Sequence, residues 1–259
     1  MFVDSHCHLN KLDLSLHDNQ LDNAVNSARD RGVDTILCIG IDLETMDEVI
    51  EVAERYPRVF ATVGTHPLYQ ESREPTVEAL LDYARHPKVV GIGETGLDYY
   101  YCKQDNDWQM RRFGIHVEAA RETGLPLIIH TRDAREATIE CLKTHGEGKV
   151  NGVLHCFTES LAMAEQAVEL GFYISISGIV TFRSAKELRE VVAALPLERL
   201  LIETDAPWLA PVPHRGKENQ PAYVVEVAKK IAEIKQVSVE DVAQTTTNNF
   251  FELFSKARD

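Results

Sequence analysis

The sequence predicts a single (β/α)8 TIM barrel. Eight short apolar, β-branched runs recur along the 259 residues at intervals of roughly 20 to 37, the length of a repeating βα unit. Segments with helical periodicity lie between them. No Gly-rich phosphate loop follows the first run, which places the closed barrel ahead of an open doubly wound sheet. No linker or low-complexity tract interrupts the chain, so one domain spanning residues 1–259 is expected.

The runs are, in order, "FVDSHCH" (2–8), "DTILCIG" (34–40), "VFATVGTH" (59–66), "VVGIGETG" (89–96), "LPLIIHT" (125–131), "GVLHCF" (152–157), "FYISISG" (172–178) and "RLLIETD" (199–205). Between the first two, residues 17–32 set Leu21, Val25 and Ala28 on one helical face, with Gly32 as the stop. Residues 43–57 repeat the pattern with Met46, Val49, Ile50 and Ala53, ended by Pro57. Helical segments 105–124 and 160–171 close on Gly124 and Gly171, and 238–254 reads as a last helix capped by Ser238 with Asp241.

Composition narrows the function classes. Hydrophobic residues make up 44 %, as in a folded globular protein, and no apolar run reaches the ~18 residues of a membrane span. No secretory signal is visible, so a cytoplasmic location is expected, with no membrane and no obligate protein partner. The five cysteines (7, 38, 102, 141 and 156) form no CxxC pair, which argues against a disulfide framework or a Cys-rich zinc site. A net charge of −14 argues against broad binding along a nucleic-acid duplex, although a local pocket for one or two phosphates remains compatible with it.

In a parallel barrel the active site lies at the C-terminal ends of the strands. His6 and His8 end the first run, His66 the third, Glu94 the fourth, His130 the fifth, His155 the sixth and Asp205 the eighth. Alternate strand residues share a face, so His6 and His8 point together, about 6–7 Å apart along the backbone. The same alternation pairs Ile92 with Glu94, Ile128 with His130, Val153 with His155, and Leu201 with Glu203 and Asp205. Buried carboxylates need a charged partner or a metal. Imidazole and carboxylate together suit divalent transition metals, and six such groups exceed one tetrahedral ion. Two ions bridged by Glu94 are expected, with Glu203 open between supporting them from outside the ligand set and being a buried group paired below them. His66 is open between a substrate contact and a structural cap before Pro67. His17, His86, His116 and His145 are expected to be solvated.

These residues, together with "GTHP", "GETGLDYYY", "HTRDA", "LHCFTE", "SISGIVTFR", "LIETDAPWLAPVPHRGKENQP" and "NNF", resemble the TatD-type metal-dependent hydrolases from residue 2 to about 254, and among them the bacterial YcfH-like branch. The resemblance implies a metal-dependent hydrolase barrel with His6, His8, Glu94 and Asp205 at one ion and Glu94, His130 and His155 at the other. It implies deoxyribonuclease activity, often from a 3′ end. Many amidohydrolase-like barrels bridge their ions with a carboxylated Lys, where this chain has Glu94.

The expected reaction is hydrolysis of a phosphodiester, a DNA strand end or a small ester, by water activated at two divalent cations (Zn, Mn, Mg, Co or Ni). Asp205 would serve as ligand and general base, and Glu94 as the bridging catalytic carboxylate. Arg132, Arg135, Arg183 and His214 follow strands and are open between substrate contacts and surface charge; Arg132, Arg183 and His214, with His66, are the substrate-binding candidates. Tyr99–Tyr101 could stack on bases or pack onto the rim. The rival activity is hydrolysis of a C–N or C–O bond in a small molecule. A metal-binding scaffold without turnover would have no use for a base beside an open metal position.

Overall fold

A computed structural model describes residues 1–103 and 106–258; Asp105, the expected start of the helical segment 105–124, lies outside them. All eight expected strands form: β1 (Phe2–Cys7), β2 (Val33–Cys38), β3 (Val59–Val63), β4 (Val89–Asp98), β5 (Leu127–Arg132), β6 (Gly152–Leu154), β7 (Tyr173–Ile176) and β8 (Leu200–Ile202). They pair in parallel, in sequence order. The connecting helices are α1 (Leu21–Asp30), α2 (Met46–Arg55), α3 (Val77–Ala84), α4 (Asp107–Thr123), α5 (Arg135–Gly146), α6 (Leu161–Glu169), α7 (Lys186–Ala194) and α8 (Val224–Lys235), followed by α9 (Val239–Leu253). Among the described residues no helix is long and apolar enough to cross a membrane.

The helix signals act as expected. The apolar faces of α1 and α2 bury Val25 and Ala28, and Met46, Val49 and Ala53, against the sheet. Ser238 and Asp241 form a reciprocal capping box at the start of α9. One side chain from each strand (Val3, Leu37, Phe60, Val90, Ile128, Val153, Tyr173 and Leu201) meets Phe250, Leu253 and Phe254 of the α9 region in a single cluster. That cluster is the filled barrel interior, sealed from below by α9.

The seam between β8 and β1 is short of regular strand, and the chain beyond Ile202 closes it. The Asp205 N–H donates to the His6 carbonyl at 2.9 Å, and the His8 N–H to the Ala206 carbonyl at 2.8 Å. Buried Asp4 accepts from the Thr204 N–H at 2.8 Å and from its hydroxyl at 2.5 Å. Asp205 is thereby fastened beside the β1 histidines.

Strand alternation fails at two places that matter. Val3 and Ser5 face inward, Ser5 meeting the Ser175 hydroxyl across the barrel at 3.2 Å, so strict alternation would send His6 outward. The β1–β2 register slips between Asp4 and Cys7, which turns His6 in and leaves Cys7 in the sheet–helix core. Ile92 and Glu94 do not share a face. Val90 belongs to the interior and Ile92 to the helix side, with register shifts on both sides of Ile92. Gly93, at φ +141°, supplies a backbone conformation that L side chains rarely adopt, and Glu94 returns to the interior.

His116 is not solvated. It is fully buried on α4, where its Nε2 accepts from the Thr65 N–H at 3.0 Å and its Nδ1 donates to the Arg112 carbonyl at 2.8 Å. His145 is exposed, and His86 and His17 are partly so. Burial pushes His116 from 6.5 down to about 4. Between those values the unfolded chain binds a proton that the native protein does not, so stability is full at neutral pH and falls as pH drops through the window, by about 3 kcal/mol in all. A His116→Gln variant should show a flatter fall of unfolding free energy from pH 6.5 to 4 in denaturant titrations; a slope equal to that of the unaltered protein would refute this role.

Candidate metal centre

Strand ends and seam bring His6, His8, Glu94, His130, His155 and Asp205 to one point at the C-terminal mouth of the barrel. The His6 and His8 Nε2 atoms are 3.3 Å apart. Glu94 Oε2 lies 3.4 Å from the first and 3.8 Å from the second. Asp205 Oδ1 lies 3.6 and 3.5 Å from the same two atoms. The other Glu94 oxygen, Oε1, faces His155 Nε2 at 2.8 Å, His66 Nε2 at 3.1 Å and His130 Nδ1 at 3.5 Å. The carboxylate thus divides its two oxygens between two sets of imidazoles.

This donor set fits divalent cations. Four ligands about 2.1 Å from a tetrahedral ion stand about 3.4 Å from one another. The separations of His6 and His8 from each other and from Glu94 and Asp205, 3.3 to 3.8 Å, match those edges. Buried His155 has no hydrogen-bond partner of proper geometry on either ring nitrogen, although carboxylates lie close. Distance alone groups His6, His8 and Asp205; His66, Glu94 and His130; and His6, His155 and Glu203 as sets that could hold an ion. Hydrogen bonding separates these. The Leu68 N–H donates to His66 Nδ1 at 3.1 Å, which puts the ring proton on Nε2 and makes that atom a donor toward Glu94. Glu203 Oε1 accepts from the Cys156 N–H at 2.7 Å and sits 3.4 Å from His155 Nδ1, on the side of the ring away from Glu94. It stands behind the His155 ring, close to Nδ1 but without a hydrogen bond of proper geometry to it.

Each charge has a physical cause. Burial works to raise Glu94, but His155, His66 and His130 hold it well below the usual carboxylate range. Burial opposes charge on His155, and the carboxylates of Glu94 and Glu203 raise it well above the ordinary histidine value. His130 is likewise raised, against burial, by Asp98 and Glu94. His6 is lowered by burial and by neighbouring His155, with which its ring stacks at 3.8 Å. Burial also works against ionised Asp205, which His8 and His6 nonetheless keep low.

Asp98 is the residue that strand-end reasoning missed. Its Oδ2 lies 3.1 Å from His130 Nε2, the carboxylate–histidine pairing that aims the other ring nitrogen at a metal. Its place in "GLDYYY", four residues after Glu94, was the available signal. Gly96 allows the approach: at φ +132°, an added Cβ would stand 2.0 Å from the His130 carbonyl oxygen.

The remaining candidates divide. Arg132 lies at the end of β5 with its guanidinium 3.9 Å above Tyr100 and 5.0 Å from Tyr101, both exposed, while Tyr99 packs on the core. Arg135 is tied to Glu159. Arg183 is exposed and its carbonyl accepts from Arg189; His214 stacks on Tyr223 at 3.7 Å. Among the described residues neither touches the histidine–carboxylate cluster. Trp208, half exposed on the loop after β8, sets its ring edge-on to His8 at 5.0 Å.

A closed parallel barrel with imidazoles and carboxylates gathered at its C-terminal mouth defines a metal-dependent hydrolase barrel. Residues 3–255 match the family described as "TatD related DNase", and the chain belongs to that family. It is 46 % identical over 252 residues to the "Uncharacterized metal-dependent hydrolase YcfH" of Escherichia coli (strain K12), covering 97 % of this chain and 95 % of the relative. It is 40 % identical over 255 residues to the "Uncharacterized metal-dependent hydrolase YabD" of Bacillus subtilis (strain 168), covering 98 % and 99 %. The crystal structure of YjjV, a TatD homologue from Escherichia coli, superposes with a TM-score of 0.88 at 30 % identity, covering 98 % of each chain.

Because Asp98 raises His130 across a 3.1 Å contact, Asp98→Asn should lower the His130 pKa in the metal-free protein. Imidazole NMR titration reads this directly; an unshifted His130 would contradict the pairing.

Proposed function

We propose that this protein is a two-metal phosphodiesterase, a deoxyribonuclease acting on a DNA strand end or a small phosphodiester. The observation that carries the proposal is Glu94, with Oε2 toward His6 and His8 and Oε1 toward His130 and His155. His6, His8, Glu94 and Asp205 would hold one divalent cation, and Glu94, His130 and His155 the other. When bound, such a pair makes water nucleophilic near neutral pH and stabilises the attacking and leaving oxygens of an in-line displacement.

The chain's own residues supply the rest. Asp205 is the most open of the carboxylates, its side chain 14 % exposed against 3 % for Glu94, and is kept ionised, so it can accept the proton of the attacking water. His66 Nε2–H, 3.1 Å from Glu94 Oε1, would turn from that carboxylate to an anionic phosphate oxygen once a cation takes Oε1. Arg132 is already oriented on Tyr100 at the mouth and can bind phosphate by a two-pronged contact. Arg183 and His214, on the loops after β7 and β8, would meet outlying parts of the substrate. Exposed Tyr100, Tyr101 and Trp208 offer faces for stacking of bases. The family description as a DNase supports this reading over hydrolysis of a C–N or C–O bond.

Protein stripped of metal and reloaded separately with Mn, Mg, Zn, Co or Ni should cleave 3′- or 5′-labelled single-stranded DNA only when reloaded. Clear turnover of amides or lactones without DNA cleavage would favour the rival activity. Asp205→Asn should reduce kcat by about 10²–10⁴ with little change in fold; full activity would remove Asp205 as the base. Since His155 lies above the ordinary histidine value, metal binding should release protons and weaken as pH falls, measurable by calorimetry in buffers of different ionisation enthalpy.

A further inference from the structure

Helix α4 carries three buried polar side chains, Gln109, Arg112 and His116, at i, i+3 and i+7 on one face, with 0, 1 and 0 % of their surface exposed. An apolar face would pack there without the cost of satisfying them. Each of the three makes at least one hydrogen bond to the backbone of the loop after β3 that carries His66. His116 Nε2 accepts from the Thr65 N–H at 3.0 Å. Arg112 Nη1 donates to the carbonyls of His66 and Tyr69 at 3.0 and 2.9 Å, while its Nε donates to Glu74 at 3.0 Å. Gln109 Nε2 donates to the Pro67 carbonyl at 2.9 Å.

Gln109 also reaches the other wall. Its Oε1 accepts from the Asp98 N–H at 2.9 Å. One amide therefore spans the His66 loop and the strand whose Asp98 orients His130. His66 and His130 in turn both face Glu94 Oε1.

We infer that Gln109, Arg112 and His116 are positioning residues, and that Gln109 fixes the spacing between His66 and the Asp98–His130 pair. They act through those residues on the second ion position, that of Glu94, His130 and His155. The inference rests on the two-metal reading above.

The test is Co²⁺ titration of the stripped full-length protein, reading stoichiometry, both dissociation constants and the visible d–d spectrum, with thermal melts alongside. Gln109→Met keeps the volume and removes both bonds. Gln109→Glu in its ionised form keeps the acceptor for Asp98 and loses the donor to Pro67. In Gln109→Met the first ion should bind within about twofold of the unaltered protein, while the second weakens by about 10–100-fold with a changed spectrum. Gln109→Glu should lie between. If Gln109→Met does not fold, Gln109→Glu decides by the same second-ion criterion. Two ions in the unaltered protein, with unchanged second-ion affinity and spectrum in the folded variants, would overturn this inference alone. A single ion in the unaltered protein would overturn the two-metal reading and this inference with it.

Discussion

An ionised carboxylate sits almost fully enclosed at the top of the barrel, and the upper half of the molecule is arranged around that charge. Isolated burial would cost several kcal/mol and drive Glu94 to its neutral form. The opposite holds, because imidazoles face both of its oxygens. Each imidazole then needs its own orientation. Asp98 supplies it for His130 and the Leu68 N–H for His66, while Glu203 places a second carboxylate 3.4 Å behind His155. Asp98 and Glu203 are held in turn by backbone N–H groups of Tyr101 and Cys156. One buried charge thus accounts for several polar side chains that would otherwise be unfavourable in a barrel interior.

Placing that charge required departures from regular strand. β1 slips register before Cys7, β4 on both sides of Ile92, and β8 stops at Ile202 so that the following residues can cross to β1. Those after Asp4, Ile92 and Ile202 lie above the layer of one apolar side chain per strand that α9 seals, while shifts between Phe2 and Val3 and between Val89 and Gly91 fall within it. The irregularities that re-aim the site residues lie in the upper barrel, next to the cluster they serve, a usual place for bulges. The Asp4–Thr204 bonds hold the seam while Asp205, one residue further on, takes a left-handed conformation at φ +57°.

The barrel was legible because its signals are local and repeated. Apolar runs, stop residues and the Ser238 cap each report on their own neighbourhood, and eight βα units reinforce one another. The cluster of candidate ligands was legible because polar residues at the ends of buried strands conflict with their surroundings. Alternation is also local: it paired His6 with His8 correctly, but it failed where distant contacts set the register, at Ile92–Glu94. His116 was read as solvated because its partner, the Thr65 N–H, is 51 residues away in sequence. Gln109 and Arg112 escaped notice for the same reason: on a helix they look like ordinary polar surface, and only the packed loop of residues 65–69 shows what they hold.

An overall charge of −14 is compatible with an anionic substrate if the charges act at different ranges. Exposed carboxylates repel a polyanion over roughly a Debye length, about 8–10 Å at physiological salt, and that repulsion grows with the number of phosphates brought near the surface. A duplex laid across the molecule meets it fully, whereas a strand end entering the barrel mouth brings few phosphates close. Within the mouth, on the proposed function, the interactions would be short: those of the cations, the His66 Nε2–H and the Arg132 guanidinium over Tyr100. On the proposed function, the acidic exterior and the cation-binding interior therefore act together, the first disfavouring long contacts and the second holding the single phosphate that reaches it.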